Sequence, residues 1–128
     1  MRFSFRRLAI LSAFLFFSLT LTWMFAPNLA LSFWDVEFSY PAGLISRRLA
    51  ALYAGVGVMF YSARNAEPSS ARSALVTGTV VACLTLAALG VYELATGHAG
   101  RGILVAVLIE GAVSLAFFHV ARAGKATQ

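Results

Sequence analysis

The sequence predicts an all-α membrane protein: an up-down bundle of four transmembrane helices with both termini in the cytoplasm. Three observations lead there. The 128 residues are 60% hydrophobic and only 12% charged, whereas a soluble domain carries about a quarter charged residues. Four apolar stretches of near-spanning length follow one another with little polar chain between them. The basic residues are divided unevenly among the connections. A chain of this length makes one domain, with spans at about residues 8–26, 44–63, 73–94 and 102–120.

The first span, "LAILSAFLFFSLTLTWMFA", has no charge, and roughly 20 apolar residues cross a hydrocarbon core of about 30 Å. A basic start before an apolar run also describes a signal peptide. This run is longer than a usual signal core, and "APNLALS" offers no clean small-x-small cleavage site, so it reads as a retained span. Pro27 and Asn28 end the helix. In "NLALSFWDVEFSYPAG", Trp34, Phe38 and Tyr40 are spaced among Asp35 and Glu37. Amphipathic aromatics beside acids suit the headgroup layer, and a short interfacial helix is expected over residues 29–34. The second span ends in "RNAEPSSAR", where Pro68 and two serines break the helix. Three glycines in "TGHAGRG" separate the third span from the fourth, and "ARAGKATQ" makes a polar tail.

Orientation follows from the cations. Arg2, Arg6, Arg7, Arg64, Arg72, Arg122 and Lys125 fall on the N-terminus, the middle loop and the C-terminus, while Arg101, Arg47 and Arg48 fall on the other side. Cytoplasmic flanks retain Lys and Arg, so the first set marks the cytoplasm. Trp23, Trp34 and Tyr92 then share the outer interface. Short loops make neighbouring helices antiparallel.

Glu110 is the most informative position. It lies eight residues beyond Gly102 in "ILVAVLIEGAVSLAFF", about 12 Å along a helix. An unpaired carboxylate at that depth costs several kcal/mol, so it is expected to face the bundle, pair, or stay protonated. Gly102, Ala106, Glu110 and Ser114 recur every four residues and share one ridge, and small residues on such a ridge permit close helix approach. Arg47 and Arg48 sit just inside the second span, and Glu93 near the outer end of the third. All four charges therefore fall in one half of the membrane. The expectation is that one arginine, Arg47 in the first instance, turns inward to Glu110 or Glu93 as a bidentate pair, while the other snorkels to the headgroups. Tyr53 and Tyr92 are candidate hydrogen-bond donors to the same carboxylates or to a bound headgroup.

Several chemistries have no apparatus here. Cys83 is the only cysteine, which excludes an intrachain disulfide and a CxxC metal site. His98 and His119 belong to opposite faces, so no metal site is expected, and no cofactor. There is no Ser-His-Asp set, phosphate loop or HExxH. The net charge of +5 is scattered in singles and pairs, without the basic stripe of a nucleic-acid binder. "GVG" at residues 55–57 reads as close helix packing, and Thr77, Thr79 and Thr85 as bonded to their own helix.

Taken together, "APNLALSFW", "SRRLAALYAGVGVMFYSAR" and "YELATGHAGRGILVAVLIEGAVSLAFF" resemble a family of small, uncharacterised bacterial four-helix membrane proteins, over residues 26–118. The resemblance implies the bacterial inner membrane and a four-helix fold; it implies no catalytic or binding residue. Three function classes stay open. The first is a non-enzymatic membrane component: an accessory subunit, assembly factor or lipid-binding scaffold, alone, as a homo-oligomer or in a larger membrane complex. The second is a small proton-coupled transporter using Glu110. Small multidrug-resistance transporters are similar in size and carry an intramembrane glutamate, but theirs is in the first helix, and the first span here has none. The third is a quinone-linked redox partner with Glu110, Arg47 and Tyr53 lining its pocket.

Overall fold

The computed structural model describes residues 4–126, and of residues 125 and 126 the backbone alone. Of the cations that orient the chain, Arg2 and the side chain of Lys125 lie outside the described residues. Five helices follow in order: α1 (Phe5–Phe25), α2 (Pro27–Phe33), α3 (Tyr40–Ala63), α4 (Ser70–Ala95) and α5 (Ile103–Ala126). α1, α3, α4 and α5 are long and apolar enough to cross a membrane, and they form an all-α four-helix bundle.

Each helix starts a few residues earlier than hydropathy suggests, except α5, because the starts are set by caps. Ser4, Ser39 and Ser69 stand at the N-caps of α1, α3 and α4 and accept from the amides of Arg7, Ala42 and Arg72; such caps satisfy amides that have no partner within the helix. Pro41 looked like loop in the sequence, but it sits in the first turn of α3, where a missing N–H costs nothing and the fixed φ suits the helix. Ala26 both ends α1 and opens α2: its amide donates to Thr22 O and its carbonyl accepts from Ala30. Pro27 forces that one-residue break. The short helix expected after the first span is therefore α2, displaced to an earlier start by Pro27.

The helices pair as α1 with α3 and α4 with α5, and a narrower α1–α5 contact joins the two hairpins. Buried Ala9, Ala13 and Ala50 line faces where backbones come close. Gly57 has the same effect, since a Cβ there would stand 2.9 Å from the Phe17 ring. Gly55 faces open space, so the "GVG" reading holds for one of its two glycines. A row of rings ties the pairs together: Phe16 stacks on Phe60 at 6.1 Å, and Phe60 on Phe117 at 5.2 Å. Outward, Phe14 (75% exposed), Leu52, Leu108 and Leu115 are bare. An apolar surface of this extent suits lipid and not water.

The bundle has two distinct ends. One carries the start of α1, the end of α5 and the α3–α4 connection; the other carries α2 and the α4–α5 turn. They are called the terminal end and the loop end below.

Candidate functional site

α5 presents Glu110 to α4, as its four-residue ridge demands. Leu108 and Ile109 beside it are exposed, whereas Ala106 and Glu110 are half-buried and Ser114 is buried. Glu110 and Ala106 line a cavity of about 130 Å³ together with Leu86, Gly90 and Glu93 of α4 and with Trp34. Gly90 shapes this cavity by close approach: a Cβ there would stand 2.6 Å from a Val107 methyl. Glu110 Oε2 is buried and has no hydrogen-bond partner. The backbone carbonyl of the same residue accepts from Ser114 Oγ at 2.9 Å. Glu110 also lies within electrostatic range of the Tyr53 hydroxyl on α3 and the Cys83 thiol on α4, so three helices contribute a titratable group to its surroundings.

Neither arginine reaches this place. Arg47 and Arg48 are exposed, and among the described residues the one ion pair is His98 Nδ1 with Glu93 Oε2, at 2.8 Å. Arg47 instead lies back along its own helix, its Nη1 3.6 Å from where a Gly43 Cβ would be. That is a snorkelling geometry, pointing to the loop end. The physical reason is the pairing of the helices: α3 packs on α1, and its first turns face α2 and the aromatic loop instead of α5. The expected Arg47–Glu110 bridge is thus corrected, and Arg47 is not among the residues lining the Glu110 cavity. Tyr92 is exposed as well (57%). Tyr53 packs beside Phe16, ring centroids 5.8 Å apart, and neither tyrosine donates to a carboxylate among the described residues.

The loop end is closed by backbone fit. Trp34 is the C-cap of α2, Asp35 follows at φ 56°, and the amides of Asp35 and Val36 donate to the carbonyls of Ser32 and Leu31. This is the two-bond stop of a helix that turns through the left-handed region. It aims the Trp34 carbonyl at the α4–α5 turn, where the Gly100 amide donates to it at 2.7 Å. Gly102 must lack a side chain there, because a Cβ would run into the Phe33 carbonyl. Trp34 then lies over the Glu110 cavity and against Trp23, 5.1 Å between ring centroids. The two tryptophans share an end as expected, and Trp23 is buried (6%) within this closure. α4 ends in the same kind of stop. Gly97 at φ 78° and His98 donate their amides to Leu94 and Glu93, so the His98–Glu93 pair closes a helix end. His98 is therefore engaged although its side chain is 67% exposed.

No family model, curated protein or solved structure is similar to this chain. The site therefore has to be read from its own chemistry. Among the described residues no three His, Cys, Asp or Glu side chains gather where they could hold a metal ion. Thr79 and Thr85 donate to the carbonyls of Leu75 and Val81 one turn back, as their place in a helix predicts.

A second void went unnoticed in the sequence. At the terminal end, a cleft of about 440 Å³ opens between the start of α1, the start of α4 and the end of α5. Arg72 lines it, its guanidinium 3.8 Å over the Phe5 ring and its Nη1 donating to the Ala66 carbonyl at 3.2 Å. The signal was available only in part. Arg72 reads as one more flanking cation until α1 and α5 are brought beside it.

Proposed function

We propose that the protein is a non-enzymatic component of the bacterial inner membrane, with both termini cytoplasmic, serving as an accessory or lipid-binding scaffold within a larger assembly or a homo-oligomer. The orientation is supported by the cation bias: Arg6, Arg7, Arg64, Arg72 and Arg122 all belong to the terminal end, with Glu67 the one described acid there. The four helices long and apolar enough to span a bilayer support the membrane location.

One observation carries the functional reading: the two voids share no wall residue. Along α4 the cleft reaches Val81 and the cavity begins at Leu86; along α5 the cavity ends at Glu110 and the cleft begins at Phe117. Buried Cys83 and Ser114 occupy the level between. A carrier needs its central acid to communicate with both faces; this acid sits in a small void under Trp34. The bare apolar flanks of α4, with small Ala74, Gly78 and Ala82 turned outward, suit contact with lipid or with a partner helix.

A second reading, a small proton-coupled transporter, is favoured by the unpartnered Glu110 Oε2. The experiment that decides is proton flux in vesicles reconstituted with the purified chain under a pH gradient. The component reading expects flux at the level of empty vesicles for the wild type and for Glu110→Gln alike. Wild-type flux that Glu110→Gln abolishes would establish the transporter instead.

A further inference from the structure

The terminal-end cleft has the polarity of an amphiphile. Arg72, Val76 and Val80 follow one another at four-residue steps along α4, so they form one ridge running about 12 Å from the mouth toward the middle of the bundle. Arg72 stands at the mouth with Ser73, and Phe117 and Phe118 make the facing wall on α5. The volume of about 440 Å³ lies in the range of small-molecule sites, about 300–1,000 Å³. The wall is bare to the surroundings at Val81 (58% exposed) and Phe118 (59%), so an occupant can enter sideways from lipid.

The cation at the mouth is held and yet uncommitted. Phe5 supports the guanidinium plane and Ala66 takes one of its N–H groups. A guanidinium has five such donors in a rigid fork that fits phosphate, and among the described residues no carboxylate pairs with Arg72. The neighbouring charges at this end, Arg6, Arg7 and Arg122 against Glu67, add a positive field. A phospholipid of net negative charge is thus favoured over a zwitterionic one, whose phosphate is offset by its own ammonium beside the same cations.

We infer that this cleft binds one anionic phospholipid, its phosphate on Arg72 and Ser73 and an acyl chain along Val76, Val80 and Phe117. The inference rests on the component reading for the leaflet concerned, the cytoplasmic one, and gives that reading a ligand.

The test uses the full chain, purified, delipidated and exposed to equal phosphatidylglycerol and phosphatidylcholine in nanodiscs, with retained lipid counted by native mass spectrometry. One retained phosphatidylglycerol per chain is expected, preferred by about fivefold or more, the order that one arginine contributes beside an anionic lipid. Arg72→Gln should abolish the preference. Arg64→Gln should keep it, because Arg64 stands at the same end but lies on its own Tyr61 ring, 4.0 Å away. Val76→Trp, which fills the cleft, should reduce retention of either lipid; should Arg72→Gln fail to fold, this variant and the wild-type preference decide. No headgroup preference in the wild type overturns the inference, and so does a preference that Arg64→Gln lowers as much as Arg72→Gln. A bound second copy of the chain in place of lipid would overturn it too. Because no partner is present, such a failure leaves the component reading standing, whereas proton flux would remove that reading and leave the lipid site.

Discussion

The two ends of the bundle are finished by different means. At the loop end the closure is made by backbone: α2 and its left-handed stop at Asp35 set the Trp34 carbonyl on the Gly100 amide, and Gly102 leaves room for the Phe33 carbonyl. At the terminal end the closure is made by side chains. Phe16, Phe60 and Phe117 stack across three helices, and beyond them the helices part around Arg72. The backbone seal stands over a small void lined by an acid without a partner. A side-chain seal leaves a wide one that presents a base to the surroundings. The two halves of the molecule therefore present charge differently, an acid without a partner in a small void and a cation at the mouth of a wider one.

Substitutions can break this contrast in a definite order. Phe60 is fully buried (0%) between two rings, so Phe60→Ala should have the largest effect, about 3 kcal/mol in unfolding from detergent. That is the low end for a buried Phe, since lipid supplies little hydrophobic drive between helices. It should also widen the cleft, seen as faster hydrogen exchange in the first turns of α4. Gly102→Ala comes next, at about 2 kcal/mol, because the Cβ meets backbone that cannot rotate away. Its signature is at the other end: greater access of an aqueous quencher to Trp23 and Trp34. Equal responses at both ends to either substitution would sink the two-seal description.

Smaller effects sharpen it. His98→Ala removes an exposed pair at a helix stop, and such pairs contribute under about 1 kcal/mol; the thermal midpoint should move by a degree or two. Glu110→Gln should move it least. No cation faces Glu110, so no ion pair is broken, and a large loss of stability would mean that an arginine reaches the cavity after all.

The spans were legible because hydropathy reports burial in lipid directly, and because Pro27, Pro68 and the glycines of "TGHAGRG" punctuate them. The starts of α3 and α4 were misplaced by a few residues because Ser39 and Ser69 act through hydrogen bonds that hydropathy does not register. Glu110 facing another helix, in the same half of the bundle as Glu93, was readable from spacing alone. Its lack of an arginine partner was not. Which helix α3 leans on is decided by fit at Gly57 and Ala50, a long-range choice with no local pattern. The same holds for the Arg72 cleft, whose walls come from three segments far apart in sequence, and for Trp34, whose reach over Glu110 depends on one left-handed residue.

Native mass spectrometry of the full chain, extracted in mild detergent from the membrane in which it is made, tests the central claim most directly. The account predicts that the chain carries an anionic phospholipid and a stoichiometric companion, a second protein or another copy. A bare, lipid-free monomer would contradict it.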